Sequence, residues 1–578
     1  MKVCLGQINT TPGDFSGNLL GIENGIKIAA SQKADLVVFP ELTITGYLSQ
    51  DLLYDKDYID AAHDSLKKVQ RFSLESEPNL YVVLGSVARN PGRGKPFQNN
   101  AVVINKGKII GEYTKQLLPF YDVFDELRYF QPGTSSLCFK VKDKNVGIVI
   151  CEDLWNDKDS DNYEDGKGPL VQYQKLGVDV LVSLNSSPYI QGKRETRFSR
   201  LLKIAKTIPN IVYVNQVGGQ DELVFDGNSF VIDDGKLTFI ASDVFDNSYP
   251  LVDIGSIGAK ITTPKRERDS LKELEQVLVL GLRDYVKKSG FNQVTVASSG
   301  GVDSALVCKL ACDAFGPEKV HAVRMPSIYS SDDSKTDALE LHENLGCWDY
   351  EVPLDHEPIL KELNDRYSLY KDQSNLVRSK LDSSEYNEIA DQNIQARLRD
   401  VFLMHFSNAF GAMPLSTGNK TESACGYFTH FDMNFSFAPI KDLYKYQVVQ
   451  LAMRDSRIPK NVWSKAPSAE LAFGQTDEDN LLPYNILDHL VMAYVEESIG
   501  SFNLFRDWCM TNRPEHMRLD KEVLEEWLDS DQAPTEYERI ASMIGKMEYK
   551  RRQTCPGTKV SKVAFGVGRR LPVVNKWS

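Results

Sequence analysis

Val294-Thr-Val-Ala-Ser-Ser-Gly-Gly-Val-Asp-Ser-Ala-Leu306 reads as strand, tight turn and helix. Val294 to Ala297 is a short run rich in β-branched residues, Gly300-Gly301 supplies a turn with no Cβ in the way, and Ser304 to Ala314 favours a helix. Such a turn presents backbone N–H groups at a helix start, which suits phosphate or pyrophosphate. No Gly-Lys-Ser/Thr closes it, so it is not the Walker pattern, and a Gly-Gly turn in an ordinary βα unit is the plain alternative. Working outward, Leu271 to Lys287 has amphipathic helical spacing and leads into the strand. Beyond the turn, Lys319 to Met325 predicts a second strand, Ser334 to Leu345 a helix and Cys347 to Val352 a third strand. Strands alternating with helices in this way predict a doubly wound parallel sheet that takes a nucleotide at its carboxyl edge.

As written, Ser299-Gly-Gly-Val-Asp-Ser304 resembles the pyrophosphate loop of the ATP pyrophosphatase superfamily, whose members adenylate a carbonyl or carboxyl oxygen and release pyrophosphate. Two later segments extend the likeness: Asp391-Gln-Asn-Ile-Gln-Ala-Arg-Leu-Arg399 and Pro414-Leu-Ser-Thr-Gly-Asn-Lys-Thr-Glu-Ser-Ala-Cys-Gly-Tyr427. Asn-x-Gln-x-Arg on one helix sets polar groups about a turn apart. Thr-Gly-Asn-Lys-Thr-Glu sets small and polar residues where backbone can approach an adenine and a carboxylate can hold magnesium. With the loop, these segments resemble the NAD synthetases. That resemblance implies ATP contacts at Ala297, Ser298, Ser299, Gly300, Gly301, Val302, Asp303 and Ser304, and further on at Thr417, Lys445 and Ser468. It implies deamido-NAD contacts at Asn393, Glu422 and Lys550, and Mg²⁺ held by Asp303 and Glu422. Lys550 belongs to a basic stretch, Glu548-Tyr-Lys-Arg-Arg-Gln553, which with Phe565-Gly-Val-Gly-Arg-Arg570 stands out in an acidic chain. A solvated face is the ordinary reading of such a run. One loop departs from the family pattern. Where many members have Tyr-Gly-Asp-Met and a glycine, this chain has His430-Phe-Asp-Met-Asn434; the bulk of Phe431 changes the backbone options of that loop, so the resemblance assigns no role to His430 or Asp432 and leaves the loop's role open.

A chain of 578 residues exceeds what one core usually organises, so at least two domains are expected. A net charge of −13 argues against a general nucleic-acid binder, since phosphate contacts need clustered Lys and Arg. Met1-Lys-Val-Cys-Leu-Gly-Gln runs straight into a strand pattern, so no signal peptide is expected, and no apolar run approaches a membrane span. Nine scattered cysteines read as reduced thiols of a cytoplasmic protein, with Cys308 and Cys312 as core positions of one helix.

The first 260 residues alternate strand and helix, with strands expected at Lys2 to Ile8, Leu36 to Phe39, Tyr81 to Val87, Ala101 to Ile104, Val146 to Ile150, Val178 to Leu184 and Ile211 to Asn215. This pattern predicts a layered α/β domain. Three strand ends carry chemistry. In Phe39-Pro-Glu-Leu-Thr-Ile-Thr-Gly46 a carboxylate follows an apolar strand; Gly111-Glu-Tyr-Thr-Lys-Gln-Leu117 places Lys115 just past a hairpin arm; in Gly147-Ile-Val-Ile-Cys-Glu-Asp-Leu-Trp155, Cys151 ends an apolar strand. His63 is the only histidine before residue 300 and lies in a polar helical stretch, which disfavours a Cys-His dyad. A buried glutamate could take the thiol proton and a lysine could stabilise an oxyanion. Taken singly, a strand-end Cys is more often core, and a lone Lys or Glu a surface group. In this order and context, Phe-Pro-Glu, Tyr-Thr-Lys and Ile-Cys-Glu-Asp resemble the nitrilase superfamily, whose fold is an αββα sandwich. The resemblance implies Glu41 as general base, Lys115 as oxyanion stabiliser and Cys151 as the nucleophile that forms a thioester. At positions of the superfamily's glutaminase members that hold glutamine stand Tyr121, Ser187 and Lys193, while Glu126 matches a second glutamate near the triad. The acidic run 156–167 reads as a loop at the rim.

Together these resemblances imply an α/β protein: a nitrilase-like glutaminase over 1–260, a linker at 261–270, and a synthetase domain of the ATP pyrophosphatase (adenine nucleotide alpha-hydrolase-like) class over 271–578 with the basic segment at its end. The implied activity is that of a carbon–nitrogen ligase which amidates deamido-NAD with ammonia from L-glutamine, using ATP and Mg²⁺. A homo-oligomer with an intramolecular or intersubunit ammonia tunnel goes with it; nucleic acid and membrane partners do not. Two rivals stay open: another glutamine- or ammonia-dependent amidotransferase of the pyrophosphate-loop class, and a nitrilase-like module kept only for assembly.

Overall fold

The computed structural model describes residues 1–155, 168–241, 245–255, 269–369, 389–431, 435–477, 480–512 and 521–574. The run 156–167, most of the linker expected at 261–270, and Asp432 lie outside the described residues. The chain divides into two compact units, Met1–Asp284 and Tyr285–Ser578.

In the first unit, β1 (Lys2–Leu5), β2 (Leu36–Val38), β3 (Tyr81–Arg89), β4 (Phe97–Asn105) and β5 (Lys108–Thr114) form one six-stranded sheet with β14 (Leu251–Asp253), in the order β14-β1-β2-β3-β4-β5. Parallel pairing over β1, β2 and β3 gives way to an antiparallel meander through β4 and β5. The second sheet runs β13-β12-β9-β8-β7-β6, from β6 (Cys138–Val141), β7 (Lys144–Ile150), β8 (Val180–Asn185), β9 (Asn210–Asn215), β12 (Phe230–Asp233) and β13 (Lys236–Ile240). The hairpin β10 (Val217–Gln220) and β11 (Leu223–Asp226) stands apart from both.

The sequence shows why two sheets stack. Central parallel strands are apolar on both faces, and the period of two sorts their residues. In β8, Val180, Val182 and Leu184 join Val3, Leu5, Val83, Val103 and Ile148 in the core between the sheets. Leu181 faces the other way, onto Tyr173 of α3 (Pro169–Leu176) and Phe198 and Leu201 of α4 (Lys193–Ile204). The outer face of the first sheet is covered by Ile22 and Ile26 of α1 (Phe15–Ser31) and by Ile59 and Val69 of α2 (Lys56–Ser76). Asp14 and Asp55 cap these two helices by accepting backbone N–H bonds. The layers are helix, sheet, sheet, helix: the αββα sandwich expected. His63 lies in α2.

The division between the units falls inside α5 (Ser270–Lys288). In the second unit, β15 (Val294–Ala297), β16 (Val320–Arg324), β17 (Trp348–Glu351) and β18 (Met413–Leu415) form a parallel sheet in the order β17-β16-β15-β18. From β15 the chain winds outward through α6 (Val302–Phe315), β16, α7 (Asp332–Leu345) and β17, then returns as β18 on the other side of β15. The order reverses between β15 and β18, and the crevice beyond their carboxyl ends is where such sheets bind ligands. Cys308 and Cys312 are buried on α6 as expected. Both α6 and α7 start two residues earlier than their apolar spacing suggested; for α7 the Ser331 hydroxyl caps the first turn by accepting from Ser334 N. Helices Tyr484–Glu496, Phe502–Thr511, Lys521–Leu528 and Ala533–Lys546 pack a separate apolar cluster around Leu487, Phe505 and Tyr537. Among the described residues no helix is long and apolar enough to cross a membrane.

Candidate functional site

Glu41 emerges from β2 through Phe39 and Pro40, and its side chain is fully buried. Its Oε1 accepts from Lys115 Nζ at 2.7 Å and from Asn99 Nδ2 at 2.8 Å, while Oε2 accepts from the Ser186 backbone N–H at 3.2 Å. Lys115 is the first residue past β5. Its ammonium also donates to Glu126 Oε1 at 2.8 Å, an oxygen that accepts in addition from the Tyr47 hydroxyl at 2.9 Å. Glu41, Lys115 and Glu126, expected from the sequence, lie together here, joined by Asn99, Ser186 and Tyr47, which the sequence does not single out. A tyrosine or asparagine in a strand or turn carries no signal of a carboxylate partner far along the chain.

Cys151 starts a single 3₁₀ turn, Cys151–Leu154, directly after β7, with φ at 41°. A left-handed backbone costs a non-glycine residue about 1–2 kcal/mol, so something must hold it. Asp153 does. Its Oδ2 accepts from Ile150 N at 2.9 Å and from the Tyr113 hydroxyl at 2.8 Å; its Oδ1 accepts from Gln116 N at 3.1 Å and Leu117 N at 2.9 Å. One buried carboxylate therefore ties the cysteine turn to the segment that follows Lys115.

Charge in this cluster is uneven. Burial raises the Cys151 thiol well above its ordinary range, Glu41 adds to the rise and Lys115 opposes it, so the resting cysteine is protonated. Burial works against the Lys115 ammonium, yet Glu126 and Glu41 outweigh it and hold the lysine charged. Burial followed by Glu41 pushes Glu126 up, against the pull of Lys115. The arrangement is a protonated thiol, a permanent cation and two carboxylates that share it. It can accept a thiol proton and meet a nascent oxyanion with positive charge.

Tyr121 is partly exposed, and its hydroxyl donates to Glu152 at 2.9 and 3.0 Å. Ser187 is buried: its N–H donates to Asn215 Oδ1 at 2.9 Å, and its carbonyl and hydroxyl accept from Arg197 Nη2 at 2.9 and 3.2 Å. Arg197 is itself clamped by both oxygens of Asp226, at 2.8 and 3.0 Å. Lys193 opens α4 immediately after Gly192, whose φ of 82° favours glycine. The buried pair Arg197 and Asp226, which fixes the Ser187 backbone, was not anticipated from the sequence.

In the second unit a cavity of about 520 Å³ opens at the switch point. Ala297, Ser298, Ser299, Gly301, Val302, Asp303 and Ser304 line it, as do Thr417, Glu422, Lys445 and Ser468. Gly300 has φ at 79°, and a Cβ there would meet Ser334 O of α7 at 2.2 Å. Asp303, in the first turn of α6, accepts from Asn419 Nδ2 at 2.9 Å and pairs with Lys445 Nζ. Asn419 caps the helix Lys420–Cys425 by accepting from Glu422 N at 3.0 Å, and Glu422 Oε1 lies 3.5 Å from the same Lys445 ammonium. Burial raises Glu422, Asp303 raises it further and Lys445 opposes both. Burial disfavours the Lys445 charge, but Asp303 and Glu422 prevail. Two hard carboxylates that already converge on one cation suit Mg²⁺ by donor type and charge.

Asn393 and Lys550 do not line the cavity; they brace its border. Asn393 Oδ1 accepts from Thr429 Oγ1 at 2.6 Å, and Lys550 Nζ donates to the carbonyls of Gly426 and Phe428, both at 2.8 Å. Tyr427, Phe428 and Thr429, the residues so held, do line it. His430 offers its carbonyl to Arg397 Nε at 3.1 Å.

Comparison with known proteins agrees with both units. Residues 2–241 match the carbon-nitrogen hydrolase family and residues 274–508 the NAD synthase family. The chain is 35% identical over 589 residues to the glutamine-dependent NAD(+) synthetase of Acinetobacter baylyi, covering 100% of this chain and 98% of that one. It is 34% identical over 629 residues to the Thermotoga maritima enzyme of the same name, covering 100% and 99%. The solved structure of the Acinetobacter baumannii glutamine-dependent NAD+ synthetase, in complex with adenosine diphosphate, superposes with a TM-score of 0.70 at 32% identity, covering 100% of this chain and 99% of that one. That of Cytophaga hutchinsonii, at 20% identity, shares the fold with a TM-score of 0.76 over 100% and 98%. With matches of this extent over its whole length, the chain belongs to the family of glutamine-dependent NAD(+) synthetases.

Proposed function

We propose that this protein amidates deamido-NAD to NAD with nitrogen taken from L-glutamine, consuming ATP and releasing AMP, pyrophosphate and glutamate. The observation that carries this reading is the buried set of Glu41, Lys115 and Glu126 around a protonated cysteine turn, in one chain with a phosphate-type loop opening on a cavity.

In the glutaminase half, over about residues 1–260, Glu41 takes the Cys151 proton as the sulfur attacks the glutamine side-chain amide. The Lys115 ammonium faces the oxyanion that forms. Ammonia leaves with the proton returned by Glu41, giving a thioester, and water activated by the same carboxylate releases glutamate. Glu126 keeps Lys115 aimed and charged. Tyr121, Ser187 and Lys193 hold the amino-acid end of glutamine.

In the synthetase half, over about residues 271–578, the N–H groups at the start of α6 and the loop 297–304 cradle ATP phosphates, with Thr417 and Ser468 along the nucleotide. Asp303 and Glu422 would hold Mg²⁺, which neutralises phosphate charge when bound. Lys445, held between those carboxylates, supplies a positive charge to the phosphates. The nicotinate carboxylate attacks the α-phosphorus, pyrophosphate leaves, and ammonia displaces AMP from the adenylate. Asn393, Glu422 and Lys550 serve deamido-NAD. A homo-oligomer with a protected ammonia route completes the reading, because ammonia free in neutral water is mostly protonated and not nucleophilic.

The test is amidation of deamido-NAD by wild type and Cys151→Ala, with glutamine or with ammonium. The variant is expected to lose glutamine-driven NAD formation and keep the ammonium-driven reaction. Retained use of glutamine overturns the triad; no amidation from either source with wild type overturns the synthetase reading and favours another amidotransferase of the pyrophosphate-loop class.

A further inference from the structure

Behind the loop 297–304 lies a hydrogen-bonded chain of which the reaction above uses only Ser298. Ser298 follows β15, lines the cavity, and its Oγ lies 2.9 Å from Nε2 of His342 on α7. Nδ1 of His342 lies 2.6 Å from Asp349 Oδ1 on β17. The Asp349 carboxylate also receives a two-pronged contact from Arg324, at the end of β16, with Nε and Nη2 each at 2.7 Å. The Arg324 fork reaches Glu351 as well, at 2.5 Å. His342 is 1% exposed and Ser298 4%.

The polarity of this chain follows from chemistry. Burial would raise Asp349, but Arg324 and His342 outweigh it and hold the acid below its usual range, so it is an ionised acceptor. His342 must then donate through Nδ1. Burial holds the imidazole below its ordinary range although Asp349 pulls the other way, so at neutral pH it is uncharged and Nε2 is an acceptor. The Ser298 hydroxyl therefore donates its hydrogen inward, to His342, and turns only lone pairs to the cavity. For a loop that is to hold phosphate this is the wrong sense, since lone pair meets anion. The charged groups facing His342 are Asp349 from β17 and Arg324 from β16, with the buried Cys308 thiol of α6 against Ser298. From the short helix Lys460–Ser464, the adjacent Lys465 is engaged with Ser334 and Asp337 nearer the start of α7.

We propose that Ser298, His342 and Asp349 form a proton-responsive relay: when nucleotide phosphate enters the loop, His342 takes up a proton at Nε2 and the Ser298 hydroxyl reverses to donate into the cavity. The inference rests on the reading of this cavity as the ATP site. One proton passes from solvent to Nε2, a new N–H donates to Ser298 Oγ, and the freed O–H swings to a phosphate oxygen; no covalent bond of the nucleotide changes. Asp349 compensates the new positive charge, and the phosphate supplies the field that favours it. His342 is thus a positioning residue acting through Ser298.

The experiment is titration calorimetry of the full chain with ATP and magnesium, deamido-NAD and glutamine omitted, in buffers of different ionisation enthalpy at about pH 7.5, above the ordinary histidine range. Wild type is expected to take up protons on binding, approaching one per nucleotide. His342→Gln is expected to lose most of that uptake and to bind ATP several-fold more weakly. Ser298→Ala, which removes the only partner of the new N–H in the relay and leaves α7 untouched, should lose the uptake too; it carries the test if His342→Gln does not fold. Equal uptake in wild type and a folded variant overturns the relay while leaving the ATP site intact. Failure of wild type to bind ATP overturns the site reading itself, and the relay with it.

Discussion

Asp153 ties together the two segments that carry Cys151 and Lys115. It accepts from three backbone N–H groups and the Tyr113 hydroxyl, and so joins the cysteine turn to the lysine segment. Asp153→Asn keeps the shape but turns one acceptor into a donor that faces donors. Each N–H left unpaired costs about 1–3 kcal/mol, so denaturant unfolding should show a loss of that order, and glutamine hydrolysis should fall with it. The pH dependence gives a second check. Burial raises Asp153 to about 6 from an ordinary 3.8 despite its bonds. Between those values the folded chain holds a proton the unfolded chain has released, so this residue's contribution to stability falls as pH rises from about 4 to about 6. Asp153→Asn should lack that decline; if its stability follows pH across this window as wild type does, the assignment is wrong. Glu126→Gln tests charge rather than shape. The amide oxygen can still accept from Tyr47 and Lys115, yet Lys115 loses one of its two carboxylates. Glutaminase kcat should drop at least about tenfold with KM little changed, as for a group that acts mainly in the transition state. A change confined to KM would place Glu126 in substrate binding instead. How much of this could be read in advance differs by residue. Glu126 stands in a recognisable context, whereas nothing in Cys151-Glu-Asp153 tells which acid will bind backbone, because its partners at Gln116 and Leu117 lie 37 and 36 positions away in the chain.

Glycines set how closely elements approach. Gly85, in the middle of β3, looks like a weak point in a strand of valines, and an interior strand glycine often marks a backbone pressed against it. Here the pressed segment carries Glu41: a Cβ on Gly85 would lie 2.1 Å from Leu42 N and 2.6 Å from the Glu41 carbonyl carbon. Gly85→Ala must push the Glu41 loop off β3, and a displacement near an ångström costs on the order of a hundredfold in rate. Glutamine-driven NAD formation should fall by about that factor with ammonium-driven formation preserved. Gly300→Ala strikes Ser334 O of α7 from a backbone at φ 79° and should reduce both nitrogen sources equally. Equal effects of the two substitutions would refute the division of labour. The strands flanking these glycines were legible, since β1, β2, β7, β8, β9, β15 and β16 are apolar runs ended by turn residues. The edges were not. β10 and β11 are four residues each, with Gly218 and Gly219 against Val224 and Phe225, too short and mixed for a period to register. The hairpin of β12 and β13 had a readable turn in Asp234-Gly235, but its flanking runs alternate poorly. The helices between Tyr484 and Lys546 carry no chemical motif, and only their mutual packing defines them.

At the scale of the whole molecule, one chain carries two chemistries with opposite needs. The glutaminase requires water for thioester hydrolysis; the synthetase requires water kept from the adenylate, and a nitrogen that stays unprotonated on its way there. Coexistence of the Glu41, Lys115 and Cys151 set with the loop 297–304 is useful only if ammonia passes from one chemistry to the other faster than it equilibrates with solvent. The proposal of a protected route therefore makes an isotopic prediction. With glutamine carrying a heavy-nitrogen amide and a large excess of ordinary ammonium in the medium, NAD made by wild type should carry heavy nitrogen nearly undiluted. Under the same conditions Cys151→Ala should incorporate only the ordinary isotope, at a rate set by external ammonium. If the wild-type product instead matches the isotopic composition of the medium, ammonia is escaping to solvent, and the two halves share a chain without sharing an intermediate. Sedimentation of the same samples tells whether the route needs more than one copy: should retention of heavy nitrogen fall as the protein is diluted into smaller species, the passage depends on the oligomer, and should it persist in the monomer, a single chain suffices.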